Sequence, residues 1–458
     1  MVRKLNLKNF LDEENLRKKI PSIRKVLFFR ICGTGMGACS ILFKSMGFDV
    51  FGCDKEYFPP MSEYLLSSGI HEQSLDKVNE AFLQQFDLIV VGNSLPRNNE
   101  FAEIIENSGT PFTSFPVALG EMVLKNYTVI GISGTHGKTT TSYFLKQMLN
   151  HLGIDCGYLI GGILENEPPA RIGSGKKGEY FVIEADEYDT AYFQKHSKFH
   201  HYNIFHCIVT SLEFDHADIF NSIDDIKNEF KRLFLTLNEG SIIYNSDYPA
   251  LSELINEMGI VKAQSYSGKK VVQSVVEEGR RVVFTEDSFL QEKVHTNIFG
   301  QHNIENILSC FRLLRNLGFE ESDLIKSVEN LKLVKRRQEI RGAYNNSIII
   351  DDFAHHPTAI QKTISAIKSQ YRDYQLVSVY EPISATARSD IFQIEYQDCF
   401  AGSEEVVLID NQIKTTVSNH ETLDHQSLRD GIDKNGISTK VIHRLDELIK
   451  YFHDKSDE

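Results

Sequence analysis

The sequence predicts an α/β protein of three domains, on three observations. The chain has 458 residues, against roughly 150 per domain in ordinary globular proteins. Short apolar runs bounded by Gly, Asp or Asn alternate with helical patterns, as in parallel sheets covered by helices. A glycine-rich turn at residues 134–140 follows one such run and opens a helix, the setting in which α/β proteins bind phosphate.

Composition sets limits on function. Lys plus Arg number 49 and Asp plus Glu 63, a net charge of −14. So acidic a chain argues against nucleic-acid or anionic-membrane partners, because phosphate needs a cationic surface. With 41% hydrophobic and 24% charged residues, it belongs with folded globular chains and not disordered ones. The seven cysteines are scattered and never form C-x-x-C, which argues against a disulfide framework or a zinc ribbon. No run approaches the ~18 apolar residues of a membrane span. The N-terminus lacks the apolar stretch of a signal peptide, so a cytoplasmic protein is expected.

Residues 1–25 are polar and predict a helical preface. Strands are expected at 26–29, 48–53 and 87–91, then at 128–132, 180–185, 207–212 and 241–244. Residues 262–299 read differently, with alternating runs at 270–276 and 281–284 that predict a small antiparallel patch. Residues 300–318 read as one helix with a lead-in. Ile304, Ile307, Leu308, Phe311 and Leu314 share a face, and Gly318 stops it. After the basic junction Lys335-Arg336-Arg337, a third α/β block has strand candidates at 347–350, 375–380, 405–409 and 439–442. Domain boundaries fall near 125 and 335.

The turn itself reads Gly134-Thr135-His136-Gly137-Lys138-Thr139-Thr140, and Leu145, Met148, Leu149 and Leu152 form the buried face of the helix behind it. Glycines let backbone N–H groups converge on oxyanions, and the helix N-terminus adds a favourable dipole. Lys138 can bridge the β- and γ-phosphates, and the Thr139 hydroxyl can hold Mg²⁺. The usual first glycine of the pattern is Ile132 here, and Gly134 supplies the turn instead.

A second cluster, Gly33-Thr34-Gly35-Met36-Gly37, follows the first strand, and Asp54 ends the second. It is similar to a dinucleotide-binding fingerprint, which would suit a nicotinamide-dependent dehydrogenase. Arg30 and Cys32 stand where such fingerprints often carry glycine. The physics requires only a tight turn facing a diphosphate, and a plain strand-to-helix turn is equally compatible.

Carboxylates gather at predicted strand ends, where parallel sheets bind ligands. Glu184-Ala185-Asp186 ends one strand, and Glu213-Phe214-Asp215-His216 follows the next. If those strands are neighbours, Glu184 and His216 converge on the phosphate loop, and with Thr139 they suit Mg²⁺. Asn303 and Asn306 share a helix face and could cap it or read an adenine edge. Asp352 could contact a ribose or cap the helix before Pro357.

At these residues the chain resembles the Mur ligases of bacterial cell-wall synthesis. The phosphate loop, Glu-Ala-Asp, Glu-x-Asp-His, His302-Asn303-Ile304-Glu305-Asn306 and Asp351-Asp352-Phe353-Ala354-His355-His356-Pro357 occur in family order, over residues 26 to about 450. The resemblance implies a Rossmann-like UDP-binding domain at 1–125, a P-loop ATP-binding domain at 126–335, and a Rossmann-like domain at 336–458 for the incoming amine. It implies an ATP- and Mg²⁺-dependent ligase acting on UDP-N-acetylmuramate through an acyl phosphate, working as a monomer or homodimer.

Lys138, Glu184 and His216 would be catalytic, with Thr139, Glu184 and His216 on the metal. ATP would meet residues 134–140, His302, Asn303, Asn306, Arg337 and Asp352. The UDP substrate would meet Gly33, Thr34, Gly35, Met36, Asp54, Asn93 and Ser94, and the amine His355 and Arg388. Two branches fit: one adds L-alanine, the other the wall tripeptide L-alanyl-γ-D-glutamyl-diaminopimelate. Phe58-Pro59-Pro60-Met61-Ser62, Tyr188, residues 197–202 and Glu381-Pro382 resemble the tripeptide branch. That branch usually follows Glu-Pro with arginine, where this chain has Ile383, and Arg388 is the nearest basic side chain. Lys231 lies near the place where several members carry a carbamylated lysine. The alanine-adding branch lacks that lysine, which argues against carbamylation here.

Overall fold

The computed structural model describes residues 3–455 except 175, 177, 238, 278–279, 286–293 and 345. Two compact units emerge. The first comprises Met1–Leu212, Lys227–Ser267 and Asn306–Val334; the second Glu213–Ile226, Gly268–Glu305 and Lys335–Glu458.

Among the described residues the first unit holds two large sheets and a hairpin. One is wholly parallel, in the spatial order His71–Ser74, Asp49–Asp54, Lys25–Phe29, Leu88–Val91, Phe112–Ser114. The first strand in sequence lies at the centre, so connections fan out to both sides, as in doubly wound folds. Leu27, Phe29, Ile89, Val91 and Phe112 bury one face of this sheet. The other sheet runs Gln264–Tyr266, Ile242–Asn245, Ile204–Val209, Thr128–Ser133, Tyr180–Glu184, Gly157–Leu159, Ala170–Arg171, antiparallel only at its last pair. Its central strand leads into the phosphate loop. A hairpin, Asp189–Ala191 with Gln194–Ser197, follows the carboxylate-bearing strand.

The second unit contains the expected antiparallel patch, Val271–Glu277, Arg280–Thr285 and Val294–Thr296. It also contains a parallel trio, Val377–Tyr380, Glu405–Ile409 and Ser438–Ile442. Ile360, Ile364, Val406, Leu408, Leu428 and Ile432 are among its core.

Several expectations shift. The preface is α-helical over Glu13–Lys19, capped by Asp12, whose side chain accepts from the Asn15 N–H, and runs on as a 3-10 turn at Ile20–Ser22. The run expected at 207–212 is the strand Ile204–Val209. The chain leaves the sheet at Thr210, whose hydroxyl turns to the Ser133 and His136 carbonyls. The run at 347–350 forms Ser347–Asp351 but pairs antiparallel with Glu339–Tyr344. The two strands are separated only by residues 345–346, far too short for a parallel crossover. His71–Ser74 went unread because an edge strand of His, Glu, Gln and Ser carries no apolar run. Among the described residues no helix is long and apolar enough to cross a membrane.

Lys231 lies on the helix Ile223–Thr236, and its ammonium is 2.8 Å from Glu257 Oε1. A surface role for this ion-paired ammonium is the expectation that a substitution tests. Lys231→Gln is expected to change unfolding free energy by less than ~1 kcal/mol and to leave turnover within about twofold. Urea unfolding and an activity assay check both. A large loss of turnover without loss of stability would mean that the lysine serves the reaction.

Candidate active site

The strand Thr128–Ser133 delivers the chain into a turn that only glycine adopts freely. Gly134 has φ +122 and Gly137 φ +84, a region that side chains disfavour. A Cβ on Gly134 would stand 2.7 Å from the Ser211 carbonyl oxygen, so Gly134 takes the place that the absent glycine at Ile132 would have filled. Gly137 is the N-cap of the helix Lys138–His151. A Cβ there would lie 2.8 Å from Asn306 Oδ1, so Asn306 packs directly on the turn. The His136 N–H donates to Ser211 Oγ at 2.7 Å, and its carbonyl accepts from Thr210 Oγ1. Leu145, Met148 and Leu149 are buried behind the loop.

Carboxylates close on this loop from the neighbouring strand. Thr139 Oγ1 donates to Glu184 Oε2 at 3.2 Å, and the Gly161 N–H donates to Glu184 Oε1 at 2.7 Å. Burial pushes the Glu184 carboxyl upward, against the Gly161 N–H and the Lys138 charge. Lys138 Nζ donates to the Gly134 carbonyl at 2.7 Å and contacts both Glu187 oxygens at 3.1 and 3.2 Å. Burial pulls the Lys138 ammonium down, but Glu187 and then Asp186 outweigh it and hold the group well above the usual lysine range. Asp186 and Glu187 were not singled out from sequence. Their strand-end position was visible, but not which carboxylate would turn inward.

Glu184 and His216 do not come from adjacent strands. Tyr180–Glu184 and Ile204–Val209 flank Thr128–Ser133 on opposite sides. His216 belongs to the second unit, with φ +54. Its N–H donates to Asp215 Oδ1 at 2.7 Å. Burial raises the Asp215 carboxyl, but His216 and His355 outweigh it and bring the group below its usual range.

At the first glycine cluster, Gly33 caps the helix Thr34–Ser45, and Gly35 stands beside the Phe115 ring. Met36 is buried in that helix, while Asn93 and Ser94 are exposed after the strand Leu88–Val91. Arg30 itself adopts φ +65, supplying the turn that a glycine would otherwise make. Asp54 accepts from the Cys32 N–H at 2.9 Å and pairs with Arg30 at 3.1 Å. That carboxylate therefore also holds its own turn.

In the second unit, Asn303 Nδ2 donates to the Phe299 carbonyl at 2.9 Å and to Gln338 Oε1 at 3.0 Å. Asn303 therefore braces the helix start, and both of its donors are used there. Asp352 is also held in place. It accepts from the Gln338 N–H at 2.9 Å and the Ala354 N–H at 2.8 Å. It does not cap the helix Pro357–Gln370, because His356 does. The capping reading gives way to a turn-holding role, and the two N–H groups leave lone pairs on the carboxylate for a ligand.

His302 Nδ1 and Gln338 Nε2 are buried and make no hydrogen bond. Burial, helped by Lys362 and Arg337, drops the His302 imidazole to about 3, so it is neutral. Gln338 gave no signal in sequence beyond its place after the basic junction. Arg337 lies over the Phe353 ring at 5.3 Å. The His355 ring bonds the Phe353 carbonyl at 3.0 Å. Arg388 is half-buried with an unbonded Nε, and Ile383 is 52% exposed.

A parallel α/β fold with a strand, glycine turn, Lys-Thr and helix, lined by carboxylates, defines an enzyme that uses a nucleoside triphosphate. Comparison with known proteins makes this specific. Residues 25–127 match the Mur ligase family, catalytic domain; 132–314 the Mur ligase middle domain; and 336–457 the Mur ligase, glutamate ligase domain. The chain belongs to the Mur ligase family and is an ATP-dependent ligase that forms amide bonds.

A UDP-N-acetylmuramate–L-alanyl-γ-D-glutamyl-meso-2,6-diaminoheptandioate ligase of Haemophilus influenzae is 33% identical over 83% of this chain and 84% of its own. A UDP-N-acetylmuramate–L-alanine ligase of Lactococcus lactis is 28% identical over 89% of this chain and 88% of its own. The crystal structure of a murein peptide ligase from Psychrobacter arcticus superposes with TM-score 0.68 at 29% identity, covering 93% of this chain and 92% of that one.

Proposed function

We propose that this enzyme joins UDP-N-acetylmuramate to L-alanyl-γ-D-glutamyl-meso-diaminopimelate in the cytoplasm, recycling wall peptide. The observation that carries the ATP half is Lys138 and Thr139 at the helix start, seated on the buried Glu187 and the partly buried Glu184. Residues 1–125 bind the UDP substrate, 126–335 ATP, and 336–458 the amine. An oxygen of the muramate carboxylate attacks the γ-phosphorus and ADP departs, leaving an acyl phosphate. The tripeptide amine then attacks the acyl carbon, phosphate leaves, and the amine proton passes to solvent. Activation is required because a free carboxylate is a poor electrophile.

Lys138 neutralises charge on the transferring group, and the loop N–H groups orient the phosphates. The Thr139 hydroxyl and Glu184 carboxylate, 3.2 Å apart, are a pair of hard oxygens that fits Mg²⁺. When bound, the metal would offset phosphate charge. The neutral His302 and the Gln338 amide offer an acceptor or donor and a donor to a purine edge.

Arg388 supports the tripeptide over L-alanine, as does the higher identity to the relative named for that amine. Phosphate release is measured with ATP, UDP-N-acetylmuramate and each of L-alanine, the dipeptide and the tripeptide. The tripeptide is expected to give the highest kcat/KM. A preference for L-alanine would replace this reading with de novo wall synthesis.

A further inference from the structure

The ammonium of Lys138 is already engaged before any nucleotide arrives. It has three donors. One goes to the Gly134 carbonyl and the rest face Glu187, with Asp186 Oδ1 at 3.7 Å. Glu187 is held firmly in place: its side chain is 3% exposed, and its carbonyl accepts from Ser197 Oγ at 2.6 Å. Asp186 pairs with Lys198 at 3.0 Å, and Lys198 lies 5.2 Å over the Tyr188 ring. The Lys198 N–H donates to the Tyr188 carbonyl at 3.0 Å. The segment 186–198 thus folds back on itself, with one carboxylate on Lys138 and the next on Lys198.

One cation cannot fully serve both this carboxylate and a triphosphate. We propose that Glu187 is a positioning residue that parks the Lys138 ammonium and yields it to the γ-phosphate when ATP binds. The proposal rests on Lys138 serving that phosphate. It has two opposed consequences. Glu187 competes with phosphate for the cation, and its own charge repels the nucleotide, so it weakens ground-state binding. It also keeps a flexible side chain in one place in a desolvated site, which spares an ordering cost when the reaction begins.

Removing the charge should therefore split binding from rate. In Glu187→Gln, the Kd of the full-length enzyme for ATP, measured by calorimetry, is expected to tighten about three- to fivefold, while kcat falls about fivefold. Glu187→Asp keeps the charge and is expected to restore most of kcat. A purely structural role would lower stability and weaken nucleotide binding together. An unchanged or weakened Kd in Glu187→Gln would overturn the proposal.

Should that variant fail to fold, Asp186→Asn, at a side chain 31% exposed, is expected to tighten nucleotide binding in the same direction. No tightening there would overturn the proposal equally. Lys138→Ala separates the two layers. If Lys138→Ala keeps both nucleotide affinity and turnover, the phosphate-loop reading itself has failed. If Lys138→Ala loses turnover and Glu187→Gln shows no tightening, only the parking has failed.

Discussion

Lys138→Ala is expected to lower turnover by about 10³-fold or more, on the order of 4 kcal/mol of transition-state stabilisation. Charge builds on the γ-phosphoryl oxygens as it transfers, and an ammonium in a low-dielectric site offsets it far better than water would. The loop should survive the loss. Gly134 and Gly137 make the turn by backbone conformation, and His136 holds it through Ser211 and Thr210, none of which needs the lysine. The variant does leave Glu187 buried without its ammonium, so some loss of stability accompanies it. Circular dichroism and an unfolding midpoint establish that the protein is folded, and phosphate release with saturating substrates reads the rate. Folded protein turning over within tenfold of wild type would sink the phosphate-loop assignment.

The contrast between Lys138 and its partners shows what was legible in the sequence. A strand, two glycines, Lys-Thr and a helix form a contiguous pattern in which each residue type is demanded by backbone geometry or charge. The central strands were equally plain, because Val129, Ile130 and Ile132 are all buried and a parallel strand buried on both faces reads as an apolar run. Asp186 and Glu187 depend on side-chain direction at the end of such a run, which no period reports. Asp352 was open to two readings for a related reason. A carboxylate before a helix suggests a ligand or a cap; here His356 is the cap, while the Gln338 and Ala354 N–H groups hold the Asp352 oxygens, and those partners are fixed only by tertiary folding. Gln338 was invisible because an amide at φ +49 between two basic residues and a strand has no local signature. The polar edge strand His71–Ser74 is held by pairing with Phe51, Gly52, Cys53 and Asp54, a non-local cause that its own residues do not express.

Arg388→Ala is expected to raise the KM for the tripeptide about tenfold or more, as for loss of one charge-assisted hydrogen bond, with little change in the KM for ATP. A tripeptide brings several carboxylates into its site, and desolvating them without cationic partners costs several kcal/mol. The arginine usual after Glu381-Pro382 is Ile383, half exposed, and cannot serve. Arg388 is the residue proposed to compensate. Its N–H donates to the Ser384 carbonyl at 3.0 Å, and its own carbonyl accepts from the Leu423 N–H at 2.9 Å, so the backbone beneath it is fixed. Its Nε is buried and makes no hydrogen bond. A buried donor left unsatisfied costs about 1–3 kcal/mol, and a substrate carboxylate would relieve that cost. Arg388→Lys should recover only part of the affinity, because an ammonium cannot reproduce the bidentate fork. With L-alanine as the amine, the same substitution should matter less, since a single carboxylate makes fewer demands. An unchanged tripeptide KM in Arg388→Ala would reject the compensation. It would also shift the balance toward L-alanine or a shortened peptide as the amine that this enzyme takes.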